Sequence, residues 1–361
     1  MIRSHFGVLA IAAMVGVSAC GEDKKAQAPA TLTIAIGSVA PLTGGIAHLG
    51  KDNENGARLA VEEANAAKIR IGGKETAFEL LAEDDQEDAK VGNTVAQKLV
   101  DAKVAGVVGR DDQQGPAVAN YLVANTKPKV VAIIDDATAY GKGLANEVEK
   151  TLTAAGVKVL AREQGTNKTV DWKAVLTKLK GRAPDAVFYG GMDSTAGPLL
   201  KQGKELGVKA VFSFGDGACT DKMGEFAGSA ADGLLCSQAG IPPQAASKKF
   251  LDAYKKRFNV EPILYSPFTY DAANLLIEAM KRANSADPAK YLPVLQKIDF
   301  AGATGRISFD EKGDRKDAEM TIFTMKGGKL LPIAIIKSGK TVKYEDFVAQ
   351  STAPAADVAK K

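Results

Sequence analysis

The residues that could do chemistry in this 361-residue chain are few, and they lie where short apolar runs end. Asp216 sits in a Gly-Asp-Gly turn, where its carboxylate could receive a ligand ammonium through charge-assisted hydrogen bonds. An aspartate in such a turn equally often bonds its own backbone, so residue type alone leaves both roles open. Tyr140, just before Gly141, could lay its ring over an apolar ligand or serve as ordinary loop packing. Asp193 occupies another loop of the same kind. The acidic run at 84–88, D-D-Q-E-D, invites a metal reading, but the spacing and central glycine of a calcium loop are missing. Acids complementing the dipole at the start of a helix explain it better.

Signatures of turnover are missing. No G-x-G-x-x-G follows the first apolar run, and neither a P-loop nor G-x-S-x-G occurs. The two histidines are His5 and His48, and the sequence places no acid or nucleophile beside His48. The chemistry on offer is therefore recognition of a small charged molecule. No catalytic residue, metal or cofactor is expected.

Positioning those residues falls to an alternation of short apolar runs with stretches of helical period, the pattern of βα units around a parallel sheet. Runs at 32–39, 77–82 and 104–109 predict strands, separated by helices whose inner faces carry Ala57, Ala60, Val61 and Ala64, then Val91, Val95 and Leu99. Further strands are expected at 129–134, 157–162, 185–189, 210–214 and 233–238. The helices between them include 116–125, a stretch with Leu144, Val148 and Leu152 inward, one with Trp172, Leu176 and Leu179, and 197–206. Three helices follow, marked by Phe250 and Tyr254, by Leu275 and Met280, and by Tyr291 and Leu295. The runs 320–325 and 330–336, split by Gly327-Gly328, read as a hairpin. In such open α/β sheets ligands bind past the carboxyl ends of the strands. That rule selects the loops 41–50, 135–141, 190–194 and 215–220.

The first thirty residues speak to compartment. Arg3 precedes an apolar stretch at 6–17, shorter than the ~20 residues a spanning helix needs, so residues 1–19 read as a signal peptide. Val-Ser-Ala-Cys ending at Cys20 matches a lipobox, with lipidation expected on Cys20 and a polar tether over 20–30. Cys219 and Cys236 then remain, and outside the cytoplasm they could close a disulfide or stay as two buried thiols. A formal net charge of +4 gives no electrostatic case for nucleic acid.

Together A-P-L-T-G-G-I-A-H-L-G at 40–50, D-D-Q-Q-G-P-A at 111–117, A-Y-G-K-G-L-A at 139–145, F-Y-G-G-M-D at 188–193, G-D-G-A-C at 215–219 and Y-S-P-F-T-Y-D-A at 265–272 carry a family likeness. The chain resembles the leucine/isoleucine/valine-binding proteins, periplasmic binding proteins of the type I fold. The resemblance implies an α/β architecture of two doubly wound lobes joined by crossovers: 31–110 with 241–317, and 111–240 with 318–345, before a flexible tail at 346–361. It also implies a small amino-acid ligand, an ABC permease and ATPase as partners, a monomer on the periplasmic or cell-surface side, and membrane attachment through the lipid alone. Asp216 matches the family's acidic ligand for the α-ammonium and Tyr140 an aromatic pocket residue, while Leu49 and Met192 stand where some members have tyrosines. In the family a further Ser/Thr-bearing loop, helix and strand precede the first crossover. Here Gly109 runs straight into Arg110, so about one βαβ unit is expected to be absent, truncating the first lobe and weakening binding. A ligand-sensing regulatory module of the same fold is the alternative function.

Overall fold

The computed structural model describes residues 31–108, 114–316, 318–337 and 340–352. Cys20, the expected signal and tether, the junction at Gly109 and residues 353–361 lie outside the described residues.

The first half of the fold builds β1 (Leu32–Ala40), α1 (Ala47–Ala66), β2 (Arg70–Ile71), β3 (Lys74–Asp84), α2 (Ala89–Asp101) and β4 (Val107–Val108). Their sheet has the order β2-β3-β1-β4, with β3 and β4 both parallel to β1. Asp88 starts α2 by accepting from the backbone N–H groups of Lys90 and Val91, the role foreseen for an acid of the 84–88 run.

The chain then builds α3 (Gln114–Thr126), β5 (Val130–Asp135), α4 (Ala139–Ala154), β6 (Lys158–Gln164), α5 (Lys173–Arg182), β7 (Ala186–Gly190), α6 (Asp193–Glu205), β8 (Val211–Phe214), α7 (Lys222–Ala227) and β9 (Leu235–Ala239). It returns through α8 (Lys248–Phe258), α9 (Ser266–Ala283), α10 (Pro288–Gln296) and a small hairpin of β10 (Phe300–Gly302) and β11 (Gly305–Ile307). It ends on β12 (Glu319–Lys326), β13 (Lys329–Lys337), β14 (Lys340–Lys343) and α11 (Tyr344–Thr352). The second sheet runs β14-β13-β12-β9-β8-β7-β5-β6, parallel from β6 to β9 and antiparallel beyond.

Burial shows why the helices sit where they do. In one core, Ile34 and Ile36 of β1 and Ala57, Ala60 and Val61 of α1 pack with Phe250, Tyr254, Tyr270 and Met280, so α8 and α9 cover the first sheet. The second sheet is covered on both faces. Trp172, Leu176, Tyr189, Leu199 and Phe214 fill one side, and Val118, Ile133, Leu144, Val148 and Phe188 the other. Trp172 is 1% exposed, as a core residue should be, and its Nε1 donates to the Thr195 carbonyl.

Three expectations need correction. Of the strand foreseen at 104–109, the described residues place only Val107–Val108 in a strand, paired with Gly37 and Ser38 of β1, and Val104, Ala105 and Gly106 lead into it as loop. The helix foreseen from 197 begins at Asp193, the acid favouring a helix N-terminus. Residues 346–352, placed in a flexible tail, belong to α11. Glu345 and Asp346 suit the first turn of that helix, which packs on β13 and β14.

One buried carboxylate ties the first lobe together. Asp52 of α1, 2% exposed, accepts from the backbone N–H groups of Ile263, Leu264, Tyr265 and Ser266 at 2.6–3.0 Å and from the Tyr254 hydroxyl at 3.0 Å. It thereby caps α9, whose own N-cap residue makes no side-chain bond. Gly56, one turn further along α1, permits the contact: a Cβ there would sit 2.2 Å from the Ser266 carbonyl oxygen. Because hydrogen bonds to charged groups contribute roughly 1.5–3 kcal/mol each, Asp52→Asn, which turns an amide donor toward backbone donors, should lower unfolding stability by at least about 2 kcal/mol. Urea denaturation checks this; an unchanged midpoint would contradict it.

Candidate functional site

The loops selected from the sequence meet where the carboxyl ends of the two sheets face each other. His48 and Leu49, expected in a loop, lie in the first turn of α1. Leu49 is 2% exposed and clusters with Ile46 and Leu264 of its own lobe, while Met192, at the N-cap of α6 in the opposite lobe, packs against them. The two residues that replace tyrosines in the family thus touch one apolar cluster spanning both lobes.

Next to Met192, Tyr140 of α4 donates its hydroxyl to Asp216 Oδ1 at 2.8 Å and accepts from the Gly217 N–H at 3.2 Å. Asp216 opens a short 3-10 turn after β8 and is 1% exposed. Its carboxylate is therefore covered and accepts the Tyr140 hydroxyl, where the sequence had left open a ligand ammonium or a bond to its own backbone. Gly217 allows this crowding, since a Cβ there would come 2.6 Å from Met192 Sδ and 3.3 Å from the Tyr140 ring. A cavity of about 630 Å³ opens beside Tyr140 and Met192, with Asn146 and Glu147 on its far wall.

Cys219, which follows this turn, is joined by a disulfide to Cys236 of β9. Of the two outcomes left open by the sequence, the structure has the bridge. It fastens the segment carrying Asp216 to the adjacent strand, and Gln238 adds a bond from its amide to the Cys219 carbonyl at 2.7 Å.

Asp193 is placed differently from Asp216. Its side chain is fully buried, and Oδ2 takes the Thr220 hydroxyl at 2.7 Å and lies 2.9 Å from His48 Nε2 of the opposite lobe. The sequence reading found no acid for His48. The partner is 145 residues away, and only the facing of the lobes reveals it. Asn167 makes a second crossing, donating to the Glu87 backbone carbonyl at 3.0 Å.

Glu87 and Asp136 were missed as functional candidates. Burial, followed by the charges of Asp136, Asp85 and Asp193, pushes the Glu87 carboxyl up to about 7. Burial also raises Asp136, against the bonds that Thr138 gives it. The acidic run at 84–88 was the available signal for Glu87; nothing local marks Asp136 beyond its position at a strand end. Among the described residues no group of three or more His, Cys, Asp or Glu side chains is arranged to hold a metal ion.

A family model described as "Periplasmic binding protein" matches residues 33–112 and 109–329. The leucine-, isoleucine-, valine-, threonine- and alanine-binding protein of Pseudomonas aeruginosa is 29% identical over 338 residues, covering 81% of this chain and 89% of that protein. Leu/Ile/Val-binding protein homolog 2 of Brucella abortus is 31% identical, covering 82% and 91%. Among solved structures, a leucine-binding protein from Thermotoga maritima superposes with a TM-score of 0.75 at 25% identity, over 87% of this chain and all but 1% of that one, its coverage being 99%. A branched-chain amino acid transporter substrate-binding protein from Streptococcus pneumoniae, solved with isoleucine, gives 0.72 at 26% identity, covering 84% and 99%. The two lobes, the facing strand ends and these matches agree on one conclusion: the chain belongs to the periplasmic binding protein family, a family of solute binders and not of enzymes, close in sequence to its Leu/Ile/Val-binding members.

Proposed function

We propose that this chain is the extracytoplasmic binding component of an ABC importer, taking branched-chain or related amino acids between its lobes and presenting the closed form to a membrane permease and its ATPase. The observation that carries the reading is the meeting of Leu49 and Met192 from opposite lobes beside Tyr140 and Asp216. An aliphatic side chain wants such an apolar wall, and an α-ammonium wants the carboxylate next to it. The chain acts as a monomer held to the membrane by lipid on Cys20, with residues 20–30 as the tether and residues 1–19 removed.

The first lobe, on this reading, lacks a βαβ unit after Gly109. Two features support it. β4 is a short edge strand with Val107 exposed, and Val100 of α2 is 65% exposed, as if their covering elements were missing. The alignment with the Pseudomonas relative also runs over 338 positions, more than the 81% of this chain that it covers. The lost loops would have supplied hydroxyl and backbone donors to the ligand's charged ends. At roughly 1.5–3 kcal/mol per hydrogen bond to a charged group, two or three such losses weaken binding by at least about 10²-fold.

Calorimetry on the purified chain should therefore show saturable L-leucine binding at least about 10²-fold weaker than that of a full-length relative measured alongside, and Asp216→Asn should weaken it by a further factor on the order of ten. Equal affinity would overturn the missing-unit claim. Silence toward every branched-chain amino acid would overturn the receptor reading. Separately, Cys20→Ser should move the protein from the membrane fraction to the soluble periplasmic fraction; unchanged membrane association would contradict the anchor.

A further inference from the structure

Where the lobes face each other, three carboxylate oxygens are buried without a hydrogen-bond partner: Glu87 Oε1 from the loop after β3, Asp136 Oδ2 from the end of β5 and Asp193 Oδ1 from the first turn of α6. Asp136 and Asp193 are 1% and 0% exposed, and each has its other oxygen engaged, the first by Thr138 and the second by His48 and Thr220. Asp136 bonds the Gly190 carbonyl through its backbone N–H, three residues before Asp193, and Glu87 is fastened across the lobes by Asn167; burial first, and then the charges of Asp136, Asp85 and Asp193, raise the Glu87 carboxyl. A buried acceptor left in this state is costly, and three together are costlier because their charges repel.

The chain offers little of its own to offset them. Lys168, on the segment after β6, is exposed and acts on Glu87 only through its field. Arg162 is held by Asp135 and Glu149, and His48 by Asp193. Asp85, on the same loop as Glu87, and Asp135, beside Asp136, add negative charge.

We propose that Glu87, Asp136 and Asp193 form a subsite for a second cationic group, an ammonium or guanidinium carried on the side chain of the bound ligand. The proposal rests on the amino-acid-receptor reading and narrows its substrate class to include diamino acids. An organic cation fits better than a metal ion. The described acidic groups are not arranged for direct coordination, whereas N–H donors reach carboxylates at longer range and along separate directions. The subsite is distinct from Asp216. β5, β7 and β8 are neighbours in the sheet, so Asp136 and Asp216 sit two strand spacings apart, roughly 10 Å. An extended diamino acid bridges that span once a hydrogen bond at each end is counted.

The test uses calorimetry of the full chain with L-ornithine, L-norvaline and 1,4-diaminobutane, the first two differing only by the terminal ammonium. Ornithine should bind tighter than norvaline by a factor on the order of ten, and Glu87→Gln should reduce that preference to about twofold or less. Norvaline binding as tightly as ornithine, or a preference that survives Glu87→Gln, would overturn the subsite while leaving the receptor reading in place. With L-leucine titrated alongside, diaminobutane bound while leucine and both other amino acids stay silent would keep the subsite and remove the receptor reading; leucine bound with ornithine and diaminobutane silent would remove the subsite alone. A second readout guards against a misfolded variant. The folded Glu87 carboxyl keeps a proton that the unfolded one, near 4.5, gives up, so wild-type stability should fall relative to Glu87→Gln as pH rises from 4.5 to about 7, then level off. A stability difference independent of pH would show that Glu87 is not held in the buried place the subsite needs and would overturn the proposal.

Discussion

A carboxylate removed from water must be surrounded by donors, and Asp52 is the place where this molecule meets that demand most completely. Four consecutive backbone N–H groups and one hydroxyl converge on it. The consequence is geometric. The first turn of α1 cannot rotate or slide relative to α9, and that turn carries His48 and Leu49. The return of the chain into the first lobe, 211 residues after it left Asp52, is thereby registered to the residues that face the opposite lobe.

The second lobe is organised by its sheet. Met192 and Asp193 start α6 at the end of β7, and Asp216 starts the turn at the end of β8. Three contacts among the described residues then join the lobes: the apolar one through Leu49 and Met192, the hydrogen bond between His48 and Asp193, and the bond from Asn167 to the Glu87 carbonyl. Apolar burial is indifferent to direction and lets one side chain slide over another, whereas a histidine reaching a buried carboxylate fixes a single approach. The first suits the aliphatic ligands of the proposed function. The second sets how far the lobes come together.

Much of this was legible in the sequence, for reasons that particular residues make plain. The helical stripe Ala57, Ala60, Val61, Ala64 and the hairpin around Gly327-Gly328 announced themselves through local periodicity and turn chemistry, and both are present. Asp216 and Tyr140 could be nominated because the strand-end rule depends only on element order, Met192 only through the family resemblance, and the structure brings the three together. Other features depend on tertiary contact and leave no local mark. Nothing near Asp52 in the chain says that its partners are residues 263–266. Nothing near His48 points to Asp193, and the burial that makes Glu87 and Asp136 interesting exists only when two lobes face each other. The failure over 346–352 has the same origin. A short helix with two acids in its first turn reads as a tail because its packing on β13 and on β14, a strand with no expected counterpart, is a tertiary contact that leaves no local mark.

On the proposed function, two separately folded lobes close around a small zwitterion, with the hydrogen bond between His48 and Asp193 marking the closed state. Small-angle X-ray scattering of the chain with and without saturating branched-chain amino acid tests it most directly. The account predicts a larger radius of gyration without ligand, falling on addition to the value calculated for the arrangement in which His48 reaches Asp193. A radius that no amino acid changes at any concentration would contradict it.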